Sequence, residues 1–333
     1  MTKIKSNQNT PIFPQYSLEE LINDYPLDLE AANRSPKTIS AYTYTLNRLI
    51  SFLKSQKLMK PVDKLGTKEI MAFIRHLQNS KKWPNSLQYR KGYGRLSPFT
   101  VQRYVRDVKA FWSWLACQGY IESNPLVKLP LPKVPQYIIR TLTNDQVRRL
   151  LSSVDRSTAP GAKYYCVLLL LMDTGMRISE LVNIRMSDLD AKIGLITVLG
   201  KGQKERVVPF SRWTRKELIR YISNYRAQLC PENSPYLFPT DNGEHISVNS
   251  IQQFMRRLVK KAGLNGMRCF PHIFRHTFAT QAIANEANVF ALKAIMGHAS
   301  LQTTMKYIHL QTGDLKHQHD RFSPVENLMK TKS

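Results

Sequence analysis

Four short segments in the second half of the chain carry side chains whose chemistry could act together. Asp173-Thr174-Gly175-Met176-Arg177-Ile178-Ser179-Glu180-Leu181 has a glycine break, then Arg177 at the start of a new helix with Glu180 one turn on. Alone, such an i, i+3 pair stabilises an exposed helix by only about 0.2–0.5 kcal/mol. Gly200-Lys201-Gly202 reads as a tight turn that projects Lys201, and the Gly-x4-Gly-Lys-Ser/Thr pattern of a phosphate loop is absent. Pro271-His272-Ile273-Phe274-Arg275-His276-Thr277 places His272 and Arg275 on one helix face, with His276 beside them at i+4. Histidines four apart can bind zinc, but the glutamate of an HExxH site is missing and Arg275 would repel a cation, so no metal is expected. Met296-Gly297-His298-Ala299-Ser300 is followed by Thr303-Thr304-Met305-Lys306-Tyr307. Arginine and lysine grip anionic oxygens, histidine moves protons, and tyrosine can serve as a nucleophile. Singly, each segment has a plainer reading: a surface ion pair, a solvated turn lysine, a core aromatic.

The elements that must position these residues can be read from periodicity and caps. Ser17-Leu18-Glu19-Glu20 is a capping-box start for a first helix. Ser35-Pro36 starts a second, with Ile39, Tyr42, Leu46, Leu49 and Leu53 in the 3.6 period. A third runs from about Thr67 to Asn79, and Ser97-Pro98 opens a fourth with Val101, Tyr104, Val108, Phe111 and Leu115 on one face. Residues 121–140 contain Pro125, Pro130, Pro132 and Pro135, which predicts an extended interdomain linker. Thr143-Asn144-Asp145-Gln146 caps the next helix. Residues 193–210 pair two β-branched runs around Gly-Lys-Gly, which predicts a hairpin. The predicted fold is mainly α: a flexible 1–16, an all-α domain over 17–120, the linker 121–140, an α-rich domain with a small β-hairpin or sheet over 141–310, and a tail over 311–333 with a helical candidate near 323–330.

Composition points to a polyanionic partner. The 333 residues include 49 Lys and Arg against 24 Asp and Glu, a formal net charge of +25. Solubility does not require so much positive charge, and nucleic acid is the usual polyanion; a membrane surface fits less well, because the basic residues gather on no single amphipathic helix. Lys81, Lys82, Arg90, Lys91 and Arg95 interleave with Trp83, Tyr89 and Tyr93, which suits contact with a DNA backbone; a solvated basic loop is the alternative. The four cysteines form no CxxC pair, the N-terminus has no apolar signal segment, and the apolar run Tyr164 to Met172 is too short to span a bilayer. A soluble protein of a reducing cytoplasm is expected.

TGMRISEL, GKGQKERVVP, PHIFRHTFAT and GHASLQTTMKYIH, in this order and in a basic chain, resemble the tyrosine recombinase family of phage integrase and Xer type. The likeness spans 140–310 by motif, and the four-helix part resembles the family's core-binding domain by pattern. The resemblance implies attack by Tyr307 on a DNA phosphodiester, giving a 3′-phosphotyrosyl bond and a free 5′-hydroxyl without ATP or any cofactor. It implies Arg177 and Arg275 on the nonbridging oxygens, Glu180 supporting them, and His298 donating to the phosphate. His272 would help take the tyrosine proton, with Lys201 as acid for the leaving oxygen and Lys204 as a lesser stand-in. It further implies double-stranded DNA as partner, a homo-tetrameric synapse, possible accessory DNA-bending or directionality proteins, and nucleoid-associated action in the cytoplasm. The tail would dock on a neighbouring subunit. With the first helix starting near 17 there is no room for an extra arm-binding domain, which favours a simpler recombinase with short inverted sites; the segment 81–97 leans the expected role towards integration and excision of a mobile element. Chromosome dimer resolution, a type IB topoisomerase and a non-enzymatic DNA-binding regulator are the alternatives.

Overall fold

The computed structural model describes residues 16–80, 94–135, 140–200, 204–230, 234–264, 266–267 and 270–308. The chain divides into two compact units, Met1–Tyr137 and Ile138–Ser333. In the first, α1 (Leu18–Ala31), α2 (Pro36–Ser55) and α4 (Pro98–Cys117) start where the sequence places their caps, and α3 (Thr67–Asn79) covers the range its pattern predicts. The Glu20 amide donates to Ser17 Oγ at 3.2 Å while the Glu20 carboxylate accepts from the Ser17 amide at 3.0 Å. Ser35 and Ser97 cap helices that open on proline, where no hydrogen bond is lost. Leu46, Leu49 and Leu53 of α2 meet Val101, Val108, Phe111 and Leu115 of α4 in one buried core. Burying such a side chain stabilises a fold by on the order of 1.5–3 kcal/mol.

The proline-rich stretch contains no α-helix among its described residues, yet its first part is fastened to this unit. Ile121, Leu126 and Leu129 sit in the core. Lys109 Nζ donates to the carbonyls of Val127 (3.2 Å) and Leu129 (2.5 Å), and Gln102 Nε2 to that of Pro132 (2.9 Å). Proline forbids helix here, but the leucines between the prolines still have an apolar core to enter. Of the basic segment, Lys81, Lys82, Arg90 and Lys91 lie outside the described residues. Arg95 is exposed, and the Leu96 amide donates to Ser80 O at 3.0 Å, so the two ends of the segment meet.

The second unit comprises α5 (Asn144–Ser152), α6 (Ala159–Thr174), α7 (Ile178–Val182), β1 (Leu189–Asp190), β2 (Leu195–Leu199), β3 (Glu205–Pro209), α8 (Arg212–Asn224), α9 (Arg226–Leu229), α10 (Val248–Lys261), α11 (Pro271–Ala284), α12 (Val289–Met296) and α13 (Leu301–Ile308). Helix α6 is apolar nearly all round because it is central: Cys166 to Leu171 are buried, and α8 and α11 pack on it. Among the described residues no helix is long and apolar enough to cross a membrane. The predicted hairpin forms from β2 and β3, antiparallel with Leu195 opposite Pro209 and Leu199 opposite Glu205. The short β1 adds a third strand that the sequence pattern did not reveal, two residues being too few to show alternation. The tail beyond 308, including the helical candidate near 323–330, lies outside the described residues.

Candidate active site

The site is built where α6, α7, β3, α11 and the turn after α12 meet. Helix α6 ends at Gly175, whose left-handed φ of 60° turns the chain towards α7. A Cβ there would also lie 2.3 Å from Phe278 Cδ1, so space as well as conformation demands glycine. Two residues on, Arg177 precedes α7, and its amide donates to Glu180 Oε2 at 2.8 Å. The Arg177 guanidinium gives Nη1 to Glu180 Oε1 (2.7 Å) and Nη2 to Gly297 O (2.9 Å).

Arg275 of α11 is 6% exposed. It donates from Nη1 to Gly175 O at 2.6 Å and from Nη2 to Met296 O at 2.7 Å. Burial and then the neighbouring Arg177 lower its pKa to about 10, which still leaves it charged at neutral pH. Each guanidinium has five N–H bonds, so donors remain for an incoming anion. A third arginine completes the frame. Arg206 of β3 grips Glu180 with both terminal nitrogens, at 2.9 and 2.8 Å, and donates from Nε to Ile295 O at 2.8 Å. Glu180 is buried, which works to raise its pKa, but the hydrogen bonds from Arg206 and Arg177 prevail and hold the carboxylate below its ordinary range.

The end of α12 thus offers three consecutive carbonyls, Ile295, Met296 and Gly297, to three different arginines. A helix C-terminus leaves such carbonyls without helical partners and carries the negative end of the dipole, so cations satisfy it well. Gly297 closes the helix at φ 64°, and a Cβ on it would lie 2.8–3.0 Å from the Arg206 guanidinium.

His298 follows at once, 9% exposed, with Nδ1 at 2.8 Å from Thr304 Oγ1. Burial, then the charges of Arg275, Arg177 and Arg206, push its pKa down to about 4. Tyr307 of α13 is 4% exposed and packs with Ala279, Leu292 and Met296; its ring is nearly parallel to that of His298, centroids 6.4 Å apart. Its hydroxyl lies 2.8 Å from His276 Nδ1. Burial raises the Tyr307 pKa, opposed by Arg275. His272 is exposed at the start of α11, its pKa lowered by partial desolvation and then by Arg275 and Arg177.

Of the residues singled out by sequence, Arg177, Glu180, Arg275, His298 and Tyr307 come together directly, and His272 lies within the field of both arginines. Lys201 lies outside the described residues. Its neighbour Gly200 sits against the frame: a Cβ there would be 3.3 Å from Arg206 Nη1 and 3.8 Å from Glu180 Oε1. Sequence reasoning passed over Arg206 and left His276 as a discarded zinc ligand. Strand alternation could have flagged Arg206, which shares the inward face of β3 with buried Val208 and so needs an acid partner.

The phage integrase family pattern matches residues 140–313, more than half of the chain, and a phage integrase N-terminal SAM-like domain matches 21–93. Tyrosine recombinase XerD of Listeria innocua serovar 6a is 28% identical over 292 residues, covering 87% of this chain and 93% of its own. Tyrosine recombinase XerC of Oceanobacillus iheyensis is 30% identical over 298 residues, covering 89% and 92%. The fold is similar to that of the Tn1549 transposon integrase solved in complex with transposon right end DNA, with a TM-score of 0.68 at 23% identity, over 88% of this chain and 94% of that one. The chain belongs to the phage integrase family, the tyrosine recombinases, and is a site-specific recombinase.

Proposed function

We propose that the enzyme cleaves and rejoins duplex DNA through a 3′-phosphotyrosyl intermediate on Tyr307. The observation that carries this reading is the placement of two guanidiniums, anchored on main-chain carbonyls, beside His298, and of one of them, Arg275, beside Tyr307, whose ring lies against that of His298. Arg177 and Arg275 would hold the nonbridging oxygens of the scissile phosphate and stabilise the added charge at five-coordinate phosphorus. Glu180 and Arg206 keep Arg177 from swinging away. His298 is neutral at pH 7. In the tautomer whose Nδ1 accepts from Thr304 Oγ1, Nε2 carries the hydrogen and can donate it to the phosphate. His272 contributes a second imidazole at the rim. Lys201 protonates the departing 5′-oxygen, with exposed Lys204 as the lesser candidate. The bond energy stays in the phosphotyrosine, so rejoining to another 5′-hydroxyl needs no nucleotide.

Integration and excision of a mobile element is the role we put first. The chain is about equally similar to a XerD (28%) and to a XerC (30%), siding with neither. The same likeness supports chromosome dimer resolution as the second reading. Duplex DNA is the substrate in both, with a homo-tetrameric synapse and accessory DNA-bending or directionality proteins in the cytoplasm.

Covalent trapping tests the reading. Labelled DNA from both flanks of the protein's own gene is nicked so that the cleaved end diffuses away, and adducts are resolved on denaturing gels. An adduct with wild type and none with Tyr307→Phe is expected. An adduct that survives in the mutant would refute Tyr307 as nucleophile. Cleavage at the flanks supports the mobile element, cleavage only at a distant chromosomal site the dimer resolvase, and relaxation without any specific site a topoisomerase.

A further inference from the structure

We infer that His276, rather than His272, takes the phenolic proton of Tyr307 during attack; this assignment rests on the phosphotyrosyl reading of the site. Among the described residues His276 is the hydrogen-bond partner of the Tyr307 hydroxyl, Nδ1 to Oη at 2.8 Å. The other histidines are placed otherwise. His298 has its Nδ1 on Thr304 Oγ1, and His272 is exposed one turn earlier on α11.

The position of His276 is not incidental. It is one peptide bond beyond Arg275, whose guanidinium is anchored to Gly175 O and Met296 O. The group that receives the proton and the group that grips the phosphate therefore move as one rigid piece of α11. The titratable and charged groups around His276 are His272 and Arg275 of its own helix, Tyr307 of α13 and His298 of the turn after α12; helix α12, which also packs on α11, carries Lys293 as its charged residue. The two charged residues of α6 are engaged elsewhere, Lys163 with Pro239 O and Asp173 with Ser211 and Thr214. Burial, then His272 and Arg275, lowers the His276 pKa, so the imidazole is neutral at pH 7 and can accept.

The step balances. The Tyr307 Oη–H bond breaks and its proton goes to His276 Nδ1. The Oη–P bond forms as P–O5′ breaks, and the 5′-oxygen is protonated by the general acid. In the ground state the transfer is uphill, because burial raises the phenol and lowers the imidazole. It becomes downhill as Oη bonds to phosphorus and loses basicity, while the arriving phosphate charge favours the imidazolium. In the reverse step His276 returns the proton to Tyr307.

Two measurements decide the matter. In the free protein, ¹⁵N NMR of the histidine rings, with His276 assigned by its loss in His276→Gln, should show Nδ1 unprotonated at pH 7; a protonated Nδ1 overturns the inference. In single-turnover adduct formation on the nicked flank DNA, His276→Gln should fall on the order of 10²-fold, the usual size of a general-base contribution. His276→Ala should fall as far and recover with added imidazole. The decline of the wild-type rate at acid pH should vanish in both variants and persist in His272→Gln. Near-normal rates in His276→Gln, or loss of the acid decline in His272→Gln instead, would overturn the assignment. Failure of wild type itself to form an adduct would strike the reading of the site, while the ring tautomer still judges the contact.

Discussion

Glu180 is 5% exposed and accepts from the Arg177 amide, from Arg177 Nη1 and from both terminal nitrogens of Arg206. A carboxylate held this way is ionised in the folded chain, and its pKa lies below the ordinary 4.5. Its stabilising contribution is present above pH 4.5 and lost as pH falls through the folded value. The histidines of the site act over a higher window. His298 titrates near 4 when folded, against 6.5 when unfolded, and His276 and His272 are lowered as well. Between those limits the unfolded chain binds more protons, so stability must fall as pH drops from 6.5 towards 4. Urea unfolding of the DNA-free protein should show this decline, and His298→Gln should make it shallower. An unchanged slope in the variant would contradict the burial of that imidazole.

The end of α12 is the element on which the phosphate grip depends. Gly297→Ala would force an alanine into φ 64° and drive a methyl group into the Arg206 guanidinium. The conformational part costs about 1–2 kcal/mol. The displaced arginine should also loosen Glu180 and lower adduct formation by roughly tenfold, equivalent to about 1.4 kcal/mol of barrier. Tm and adduct rate are expected to drop together while DNA affinity stays; a full rate with a lowered Tm would show that the carbonyl anchors are dispensable. Many of the helices were legible in the sequence, because Ser17, Ser35 and Ser97 in the first unit and Thr143 in the second announce their starts and apolar periodicity gives buried faces. Arg177, Arg275, His298 and Tyr307 were legible as a set of motifs. Their anchoring was not, because the acceptors at Gly175, Ile295, Met296 and Gly297 are main-chain carbonyls, which no residue type advertises. Nor was the Tyr307–His276 pair, 31 positions apart, since only the packing of α13 on α11 creates it.

For the whole molecule the net charge of +25 dominates encounter with DNA, and binding must weaken steeply with salt through counterion release. Assays that separate binding from catalysis therefore need one fixed ionic strength. Under that condition, deletion of 320–333 is expected to leave DNA affinity intact and to impair recombination, as a tail that docks on a neighbouring subunit requires. Full recombination by the truncated chain, read out on paired target sites, would sink that role. The three arginines held by the last turn of α12 bear also on how such a chain changes through descent. A carbonyl oxygen is the same whatever codon specifies its residue, so positions 295 and 296 are free to drift among apolar types while the grip persists. What selection must preserve there is the place where the helix stops, and lineages that diverge widely in side chains along α12 can inherit the same chemistry.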